Sequence, residues 1–387
     1  MAKKIRGRNE GSIFRRCNGT WRAQITLNGK RISYGSKTKA ECQAWLRRMQ
    51  FQLDQGYDYQ GGKITLGEYL VEWLIGYKIT IRPKTHHRYK GLIDKYIVPN
   101  IGHITLKDLH PLNIERFYSD LLDAGVGPRN VRHIHAVLHR ALEKAVGYNL
   151  VLRNPAHGVT LPRYKPAEMQ VWDESQVSVF LVAAEGSSFK SLYHLAITTG
   201  MRQGEILGLK WPDLHWNSGT IQVQRQVQYV PGQGRSFIDP KTRAGRRKIK
   251  LGEGTLHALR LHKERQKLQI AFAGARWVDH DLIFPNRVGN PLDPSNLRLD
   301  FNRIIAETGL TKIRFHDLRH TAASLMLNYG VPSIVVSRIL GHSKPSTTLD
   351  IYGHLYQEMG GEAPKIMDHL VTPIRVELRK TEELISR

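Results

Sequence analysis

The chain has 387 residues and carries 58 lysines and arginines against 34 aspartates and glutamates, a formal net charge of +24 and an isoelectric point near 10.1. This length allows two or three domains, each with its own core, and the excess positive charge favours a polyanionic partner. With two unpaired cysteines, no apolar run of membrane-spanning length and no apolar segment behind the basic N-terminus, the sequence excludes a disulfide framework, a cysteine-rich metal site, a membrane span and a signal peptide, so we expect a soluble cytoplasmic protein.

Residues 1–58 are predicted to form three short strands and one helix, a small DNA-binding domain. A first strand is expected from Ser12 to Arg16, and apolar and polar residues then alternate on both sides of the hairpin-turn signal Asn28-Gly29. Thr38 can cap a helix that runs to about residue 52. Its predicted apolar face consists of Ala44, Trp45, Met49 and Leu53.

This segment is densely basic, with 13 basic and 4 acidic residues in positions 1–62. A sheet that carries cations can enter a DNA groove, and the alternative is a basic surface with no partner. The predicted DNA contacts are Arg15, Arg16, Arg22, Lys30 and Arg31.

Residues 63–152, after a glycine-containing linker, show a helical period and predict a four-helix domain that binds DNA. The stripes begin at Leu66, Tyr89, Ile114 and Val131, and the predicted stripe of the third helix includes Leu122. Cations on the second and fourth helices are predicted to face phosphates: Lys84, Arg88, Arg132 and Arg140. We expect no metal at the neighbouring histidines, because the sequence pattern indicates no carboxylate or thiolate partner for them.

Residues 152–168 contain three prolines and predict an extended linker, so that a third domain occupies residues 168–387. Asp173 and Gln176 fit a helix-capping pattern, and Gly200 ends a later helix. A strand pattern starts at Thr220 and returns at Ile249 across a long loop. Helices are expected at about 253–271, 294–308, 316–328 and 333–340. The predicted fold class is therefore multidomain α+β, with a mostly helical third domain around a small antiparallel sheet.

The stretch from Thr199 to Glu205 places an arginine where a new helical turn begins. Arg202 and helix N-terminal amides can converge there on one anion, and Glu205, three residues later, can hold Arg202. Taken alone, this is an ordinary salt bridge. It gains meaning from an ordered set of groups suited to phosphate chemistry, namely Arg202, Lys241, His316, Arg319, His342 and Tyr352.

This ordered set closely resembles the tyrosine recombinase, or phage integrase, family, whose pattern is Arg, a β-hairpin Lys, His-x-x-Arg, His or Trp, and Tyr. The motifs are Thr-Gly-Met-Arg, Pro-Lys-Thr-Arg, His-Asp-Leu-Arg-His, Leu-Gly-His and Tyr-Gly-His, within about residues 170–355. More loosely, the helical domain resembles a core-site-binding domain and the N-terminal segment an arm-binding domain.

The resemblance implies the tyrosine recombinase fold and a role for each residue. Tyr352 would attack the scissile phosphate and form a 3′-phosphotyrosine, while the two arginines neutralise the transition state, so that no metal, ATP or other cofactor is needed. Lys241 would be the general acid for the departing 5′-oxygen, although three arginines share its loop. His316 would accept or relay the tyrosine proton, and His342 would donate to the phosphate.

The expected function is site-specific recombination by an integrase of a phage or another mobile element, acting as a homotetramer on double-stranded core and arm sites. An excisionase or another directionality or bending protein is a possible partner, and no membrane is expected. Two alternatives remain: a type IB topoisomerase, which uses much the same residues, and a DNA-binding regulator without catalysis. The tail, residues 362–387, is expected to dock on its own core or on a neighbouring protomer.

Overall fold

The computed structural model describes residues 11–27, 30–54, 63–166, 169–232, 234–240, 243–346, 348–349 and 352, with the side chains of all but residues 27, 30, 52–54 and 243. The chain divides into two compact units, Met1–Pro166 and Ala167–Arg387. Among the described residues, no helix combines the length and the apolarity that crossing a bilayer requires.

The N-terminal part is a three-stranded antiparallel sheet with one helix, as predicted. Its elements are β1 (Ser12–Arg15), β2 (Trp21–Leu27), β3 (Lys30–Ser36) and α1 (Lys39–Asp54). Leu27 lies opposite Lys30 in the register, so two residues connect the strands; Asn28 and Gly29 themselves lie outside the described residues. The hydroxyl of Thr38 accepts the backbone N–H of Glu41 at 3.3 Å, which confirms the predicted cap.

The buried face of α1 differs from the prediction at one position. Trp45 and Met49 pack against the sheet as expected, but Ala44 is exposed, and Cys42 and Leu46 occupy the inward positions. The prediction for Ala44 was wrong because the helix presents positions 42, 45, 46 and 49, spaced by three and four residues, to the sheet. The side chain of residue 53 is not described.

The next part is the predicted helical bundle. Its helices are α2 (Leu66–Tyr77), α3 (Pro83–Leu92), α4 (Val98–Ile101), α5 (Pro111–Asp123) and α6 (Pro128–Gly147), and a π-helical turn over Ile93–Ile97 joins α3 to α4. The predicted stripes are buried or partly buried, except at Leu122, which is exposed, whereas Leu121 of the same predicted stripe packs inward. Val151, Ala156 and Val159 also join this core, so the expected linker is packed over its first part.

The second unit contains five strands and seven helices among its described residues. They are β4 (Leu214–His215), β5 (Thr220–Val223), β6 (Gln226–Val230), β7 (Gly234–Ile238), β8 (Arg247–Lys250), α7 (Glu174–Ala183), α8 (Lys190–Thr199), α9 (Gln203–Leu207), α10 (Glu253–Ala273), α11 (Pro294–Thr308), α12 (Asp317–Asn328) and α13 (Ser333–Leu340). The four late helices and the capping box at Asp173 are confirmed.

The sheet region is more divided than the sequence suggested. Strands β4, β5 and β8 form one antiparallel sheet, in which Ile221 pairs with Ile249 as predicted, whereas β6 and β7 form a separate hairpin. The sequence predicts a long loop where β7 lies. Its residues from Gly234 to Phe237 are exposed, so the strand lacks the apolar alternation that would have revealed it.

Candidate active site

Arg202 and Glu205 form the contact that their spacing predicts. Helix α8 ends at Gly200, which adopts φ +60°, and α9 begins directly after Arg202. Nη1 of Arg202 lies 2.7 Å from Oε1 of Glu205, and the backbone N–H of Arg202 donates to Oε2 at 3.0 Å. Glu205 is buried while the Arg202 side chain stays 38% exposed, so the carboxylate anchors a guanidinium that can still meet a ligand.

Arg247, at the start of β8, is a second partner of the same carboxylate. Its Nη2 lies 2.9 Å from Oε2 of Glu205, and its side chain is only 7% exposed. Burial alone would raise the pKa of Glu205, but Arg247 and then Arg202 outweigh burial and hold that pKa below its usual value. From the sequence, Arg247 is only one of three arginines near Lys241, and the pair Arg246-Arg247 before a strand is the one signal that could have indicated its role.

Three guanidinium groups donate hydrogen bonds to consecutive carbonyl oxygens at the end of helix α13. Arg247 donates to Ile339, Arg319 donates to Leu340 at 2.8 Å, and Arg202 donates to Gly341 at 3.5 Å. These carbonyls have no partner within their own helix and carry its negative partial charge. The arrangement positions three cations around one backbone turn, immediately before His342.

Arg319 lies on the first turn of α12 and is 4% exposed. Its Nη1 donates to Gly200 at 2.9 Å as well as to Leu340, whereas its buried Nη2 has no partner within the described part of the chain. Burial and then the neighbouring Arg202 lower the pKa of Arg319 to about 9, so it remains a cation at neutral pH. A phosphate oxygen would supply the missing acceptor.

His342 follows this turn and is fixed by Thr348. Its Nδ1 lies 2.8 Å from Oγ1 of Thr348. Burial, then Arg319 and Arg202, lower the pKa of His342 to about 4, so the imidazole is neutral. When the hydroxyl donates to Nδ1, the imidazole proton lies on Nε2, from which it can be donated to a phosphate oxygen.

Tyr352 is 2% exposed and packs beside Ala323, Leu327, Val336 and Leu340. Its hydroxyl lies 2.6 Å from Nδ1 of His320, one residue after Arg319. Burial raises the pKa of Tyr352 to about 12, and burial together with His316 lowers the pKa of His320 to about 4. The resting pair is therefore a protonated phenol that donates to a neutral imidazole.

His320 was absent from the predicted set, in which His316 receives the tyrosine proton. In the structure, the His316 ring lies edge-on to that of His320, with ring centroids 5.5 Å apart. Burial and then Arg319 lower the pKa of His316. The one sequence signal for His320 was its place directly after Arg319. His316 therefore lies next to His320, the residue whose imidazole contacts the hydroxyl of Tyr352.

Lys241 lies outside the described residues, as does the tail after Tyr352. By sequence, Lys241 falls between β7 and β8, which belong to different sheets, and so follows the β6–β7 hairpin. Its role as general acid stays a prediction.

The predicted DNA contacts lie on both parts of the first unit. Exposed members are Arg15, Arg16, Arg31, Lys84, Arg88, Arg132 and Arg140; Arg22 is half-buried, and the side chain of Lys30 is not described. Arg22 bonds Ser33 at 2.6 Å, Arg132 bonds the carbonyl of Pro162 at 3.0 Å, and Arg140 bonds the hydroxyl of Tyr89. These contacts orient the cations, and their role in DNA binding stays a prediction.

The chain is similar to known proteins over nearly its whole length. Residues 170–359 match the model of the phage integrase family, and residues 65–122 match that of the phage integrase N-terminal SAM-like domain. The chain is similar to a XerC-like tyrosine recombinase of Caldanaerobacter subterraneus subsp. tengcongensis, at 27% identity over 96% of this chain and 100% of that protein. It is also similar to the ICEBs1 integrase of Bacillus subtilis, at 27% identity over 92% and 98%.

Solved structures give the same fold. The integrase of the Tn1549 transposon, bound to a circular-intermediate DNA, aligns with TM-score 0.67 and 18% identity over 78% of this chain and all of that chain. A lambda integrase dimer bound to a core site aligns with TM-score 0.58 and 18% identity over 91% and 96%. A lambda integrase tetramer on a Holliday junction aligns with TM-score 0.56. The chain therefore belongs to the tyrosine recombinase, or phage integrase, family of DNA strand-transfer enzymes, as shown by the two matched family models, by relatives that span nearly the whole chain and by the site geometry above.

Proposed function

We propose that this chain is a site-specific integrase of a phage or another mobile element, which cleaves and rejoins DNA through a 3′-phosphotyrosine. The observation that carries the proposal is the placement of Arg319 and His320 on one helical turn. The first is a buried cation whose Nη2 has no partner among the residues that the structure describes, and the second holds the hydroxyl of Tyr352. The nucleophile therefore lies beside the group that is best suited to bind the scissile phosphate.

In the proposed reaction, the phenolic oxygen of Tyr352 attacks phosphorus and the 5′-oxygen departs. His320 takes the phenolic proton, directly or with His316 as relay, and Lys241 supplies a proton to the departing oxygen. Arg202, Arg319 and His342 donate to the non-bridging oxygens, whose charge grows in the transition state. Attack by the free 5′-hydroxyl of another strand reverses these steps and restores the phosphodiester without ATP.

The contact between His320 and Tyr352 lies within one chain, which supports cleavage in cis. A mixture of Tyr352→Phe and Arg202→Lys protomers tests this point, because each variant lacks a different part of the site. Cis delivery predicts that mixing restores no covalent cleavage. Recovery of cleavage toward half the wild-type amount would instead establish that one protomer donates its tyrosine to another.

We also propose three functional modules: residues 1–58 for arm sites, 63–152 for core sites and 168–387 for catalysis. The separate hydrophobic clusters of the N-terminal sheet and the helical bundle support this division. Removing residues 1–58 is expected to spare cleavage of a core site and to impair integration. Unimpaired integration would refute the arm-site assignment.

On DNA we propose a tetramer, helped by an excisionase or another directionality protein. Recombination of two plasmids carrying the sequences that flank the element tests the function as a whole. Wild type should exchange the markers and Tyr352→Phe should not. A type IB topoisomerase would instead relax supercoiled plasmids that lack any such site, and a regulator without catalysis would bind the sites and leave both plasmids unchanged.

A further inference from the structure

A group of metal-ligating side chains lies far along the chain from the catalytic residues, at the end of the helical bundle. His139 and Glu143 lie four residues apart on α6, and a turn after the helix brings His157 to them. One ligand atom from each of the three residues lies within 4.8 Å of the other two. Nε2 of His157 lies 3.6 Å from Oε2 of Glu143, and the two imidazole centroids are 4.7 Å apart.

This finding corrects the expectation from the sequence that no carboxylate is spaced with these histidines. Positions i and i+4 share one face of a helix, so Glu143 is such a partner for His139. His157 comes 14 residues after Glu143 in the sequence, and its approach depends on the fold of the intervening turn.

The spacing fits a tetrahedral zinc ion. Zinc lies about 2.0 to 2.2 Å from imidazole nitrogen and carboxylate oxygen, so neighbouring ligand atoms of a tetrahedral site are about 3.3 to 3.6 Å apart. The distance of 3.6 Å between Nε2 of His157 and Oε2 of Glu143 already lies at that spacing. Two imidazoles and one carboxylate are also a ligand set that zinc accepts with one position left open.

A buried amide holds the ligands in place. Asn154 is 4% exposed, and its Nδ2 donates to Oε2 of Glu143 at 2.8 Å and to the carbonyl of His139 at 3.0 Å. Its Oδ1 accepts the backbone N–H of Ala156 at 2.9 Å, and its carbonyl accepts that of His157 at 3.1 Å. One residue therefore orients the carboxylate and also shapes the turn that carries His157, which is the role of an outer partner in metal sites.

The ion pair alone does not account for this construction. The side chains of His157 and Glu143 are 64% and 54% exposed, and a pair so exposed contributes little to stability. Binding of a metal ion by the same three side chains would contribute more to stability than the ion pair does.

We propose that His139, Glu143 and His157 bind one Zn²⁺, with a water molecule in the fourth position. The bound ion would fasten the turn at residues 154–157 to α6, shortly before the end of the first unit at Pro166. The site would act on the stability of the helical bundle.

The test uses the full chain without an affinity tag, after removal of metals with a chelator. Zinc affinity is measured by competition with a chromophoric chelator, and Co²⁺ is used as a spectroscopic probe. We expect one tight zinc per chain, the visible absorption of four-coordinate cobalt, and an upward shift of the melting temperature with zinc. His157→Ala, whose side chain is exposed, should lower the affinity by about 10-fold or more and reduce the zinc-dependent shift.

His87→Ala is the matched control, because His87 is an exposed histidine on α3 outside the group. It should leave affinity and absorption unchanged. Glu143→Gln retains an acceptor for Asn154 and provides a second variant that should fold and bind zinc weakly. Equal zinc affinity in the wild type and both cluster variants, or an equal loss in His87→Ala, would overturn the proposal.

Discussion

Nδ1 of His320 lies 2.6 Å from the hydroxyl of Tyr352, within a single chain. The pKa of the imidazole is lowered to about 4 and that of the phenol is raised to about 12, so the proton stays on the tyrosine until DNA arrives. In the reaction proposed above, Tyr352 is thus positioned before DNA binds, and it would become reactive when the phosphate and its cations stabilise the product charge.

Replacing His320 by glutamine tests its role as proton acceptor. Glutamine can accept the hydrogen bond of Tyr352 but cannot take its proton, so single-turnover cleavage should fall by about 100-fold or more. DNA affinity should stay unchanged, and raising the pH should restore part of the rate in the variant. His257→Ala, at an exposed histidine of α10, is the control. A cleavage rate equal to the wild type would exclude His320 as the base.

Two half-buried histidines, His320 and His342, should make stability depend on pH. The pKa values of His320 and His342 are about 4 in the folded state, against 6.5 for an unperturbed imidazole. The unfolded chain therefore binds more protons, and the contribution of these groups should be full above about pH 6.5 and decline until about pH 4. Urea unfolding across this range measures the decline. His342→Gln should make the slope shallower, and an unchanged slope would contradict the prediction.

Glu205→Gln should disturb both arginines that the carboxylate holds. Loss of the buried charge leaves Arg202 and Arg247 without their shared anion, with an expected cost of about 3 to 5 kcal/mol in the free energy of unfolding and a marked loss of cleavage. Glu264→Gln is the matched control, because Glu264 pairs with Lys267 at an exposed site and should cost about 1 kcal/mol or less. Equal effects of the two substitutions on unfolding would refute the anchoring role.

Gly200→Ala should destabilise the junction between α8 and α13. Gly200 has φ +60°, and an added Cβ would lie 2.5 Å from Cδ2 of Leu340. Gly309→Ala isolates the backbone effect, since Gly309 also ends a helix, at φ +65°, but has open space around it. Urea unfolding should show that Gly309→Ala lowers the free energy of unfolding by about 1 kcal/mol. Gly200→Ala should lower it by about 1 to 3 kcal/mol more. Similar costs would show that the contact with Leu340 is unimportant.

The sequence predicted elements and contacts that depend on near neighbours. The bond between Arg202 and Glu205 follows from helical spacing, and the cap of Asp173 follows from a local motif. Arg247 and His320 escaped prediction because their partners, Glu205 and Tyr352, lie 42 and 32 residues away in the chain. The first contact joins β8 to α9 and the second joins α12 to a residue that follows α13, so both depend on packing between elements distant in the sequence.

Two other differences have the same physical origin. Strand β7 is stabilised by its pairing with β6 and buries little apolar surface, so periodicity alone did not reveal it. The expected linker contains prolines, but Ala156 and Val159 find space in the helical core. Strand pairing in the first case and burial in the helical core in the second thus override the local composition.

The most direct test of the account is covalent trapping on a suicide substrate, a recombination site from the element's flanks with a nick beside the cleavage position. The nick lets the short 5′-hydroxyl fragment diffuse away, so the cleaved intermediate accumulates. The account predicts that the wild-type chain becomes attached to the 3′-phosphate through Tyr352, while Tyr352→Phe binds the same DNA and forms no adduct. A covalent adduct in Tyr352→Phe, or its absence in the wild type on DNA that the protein demonstrably binds, would contradict the central claim.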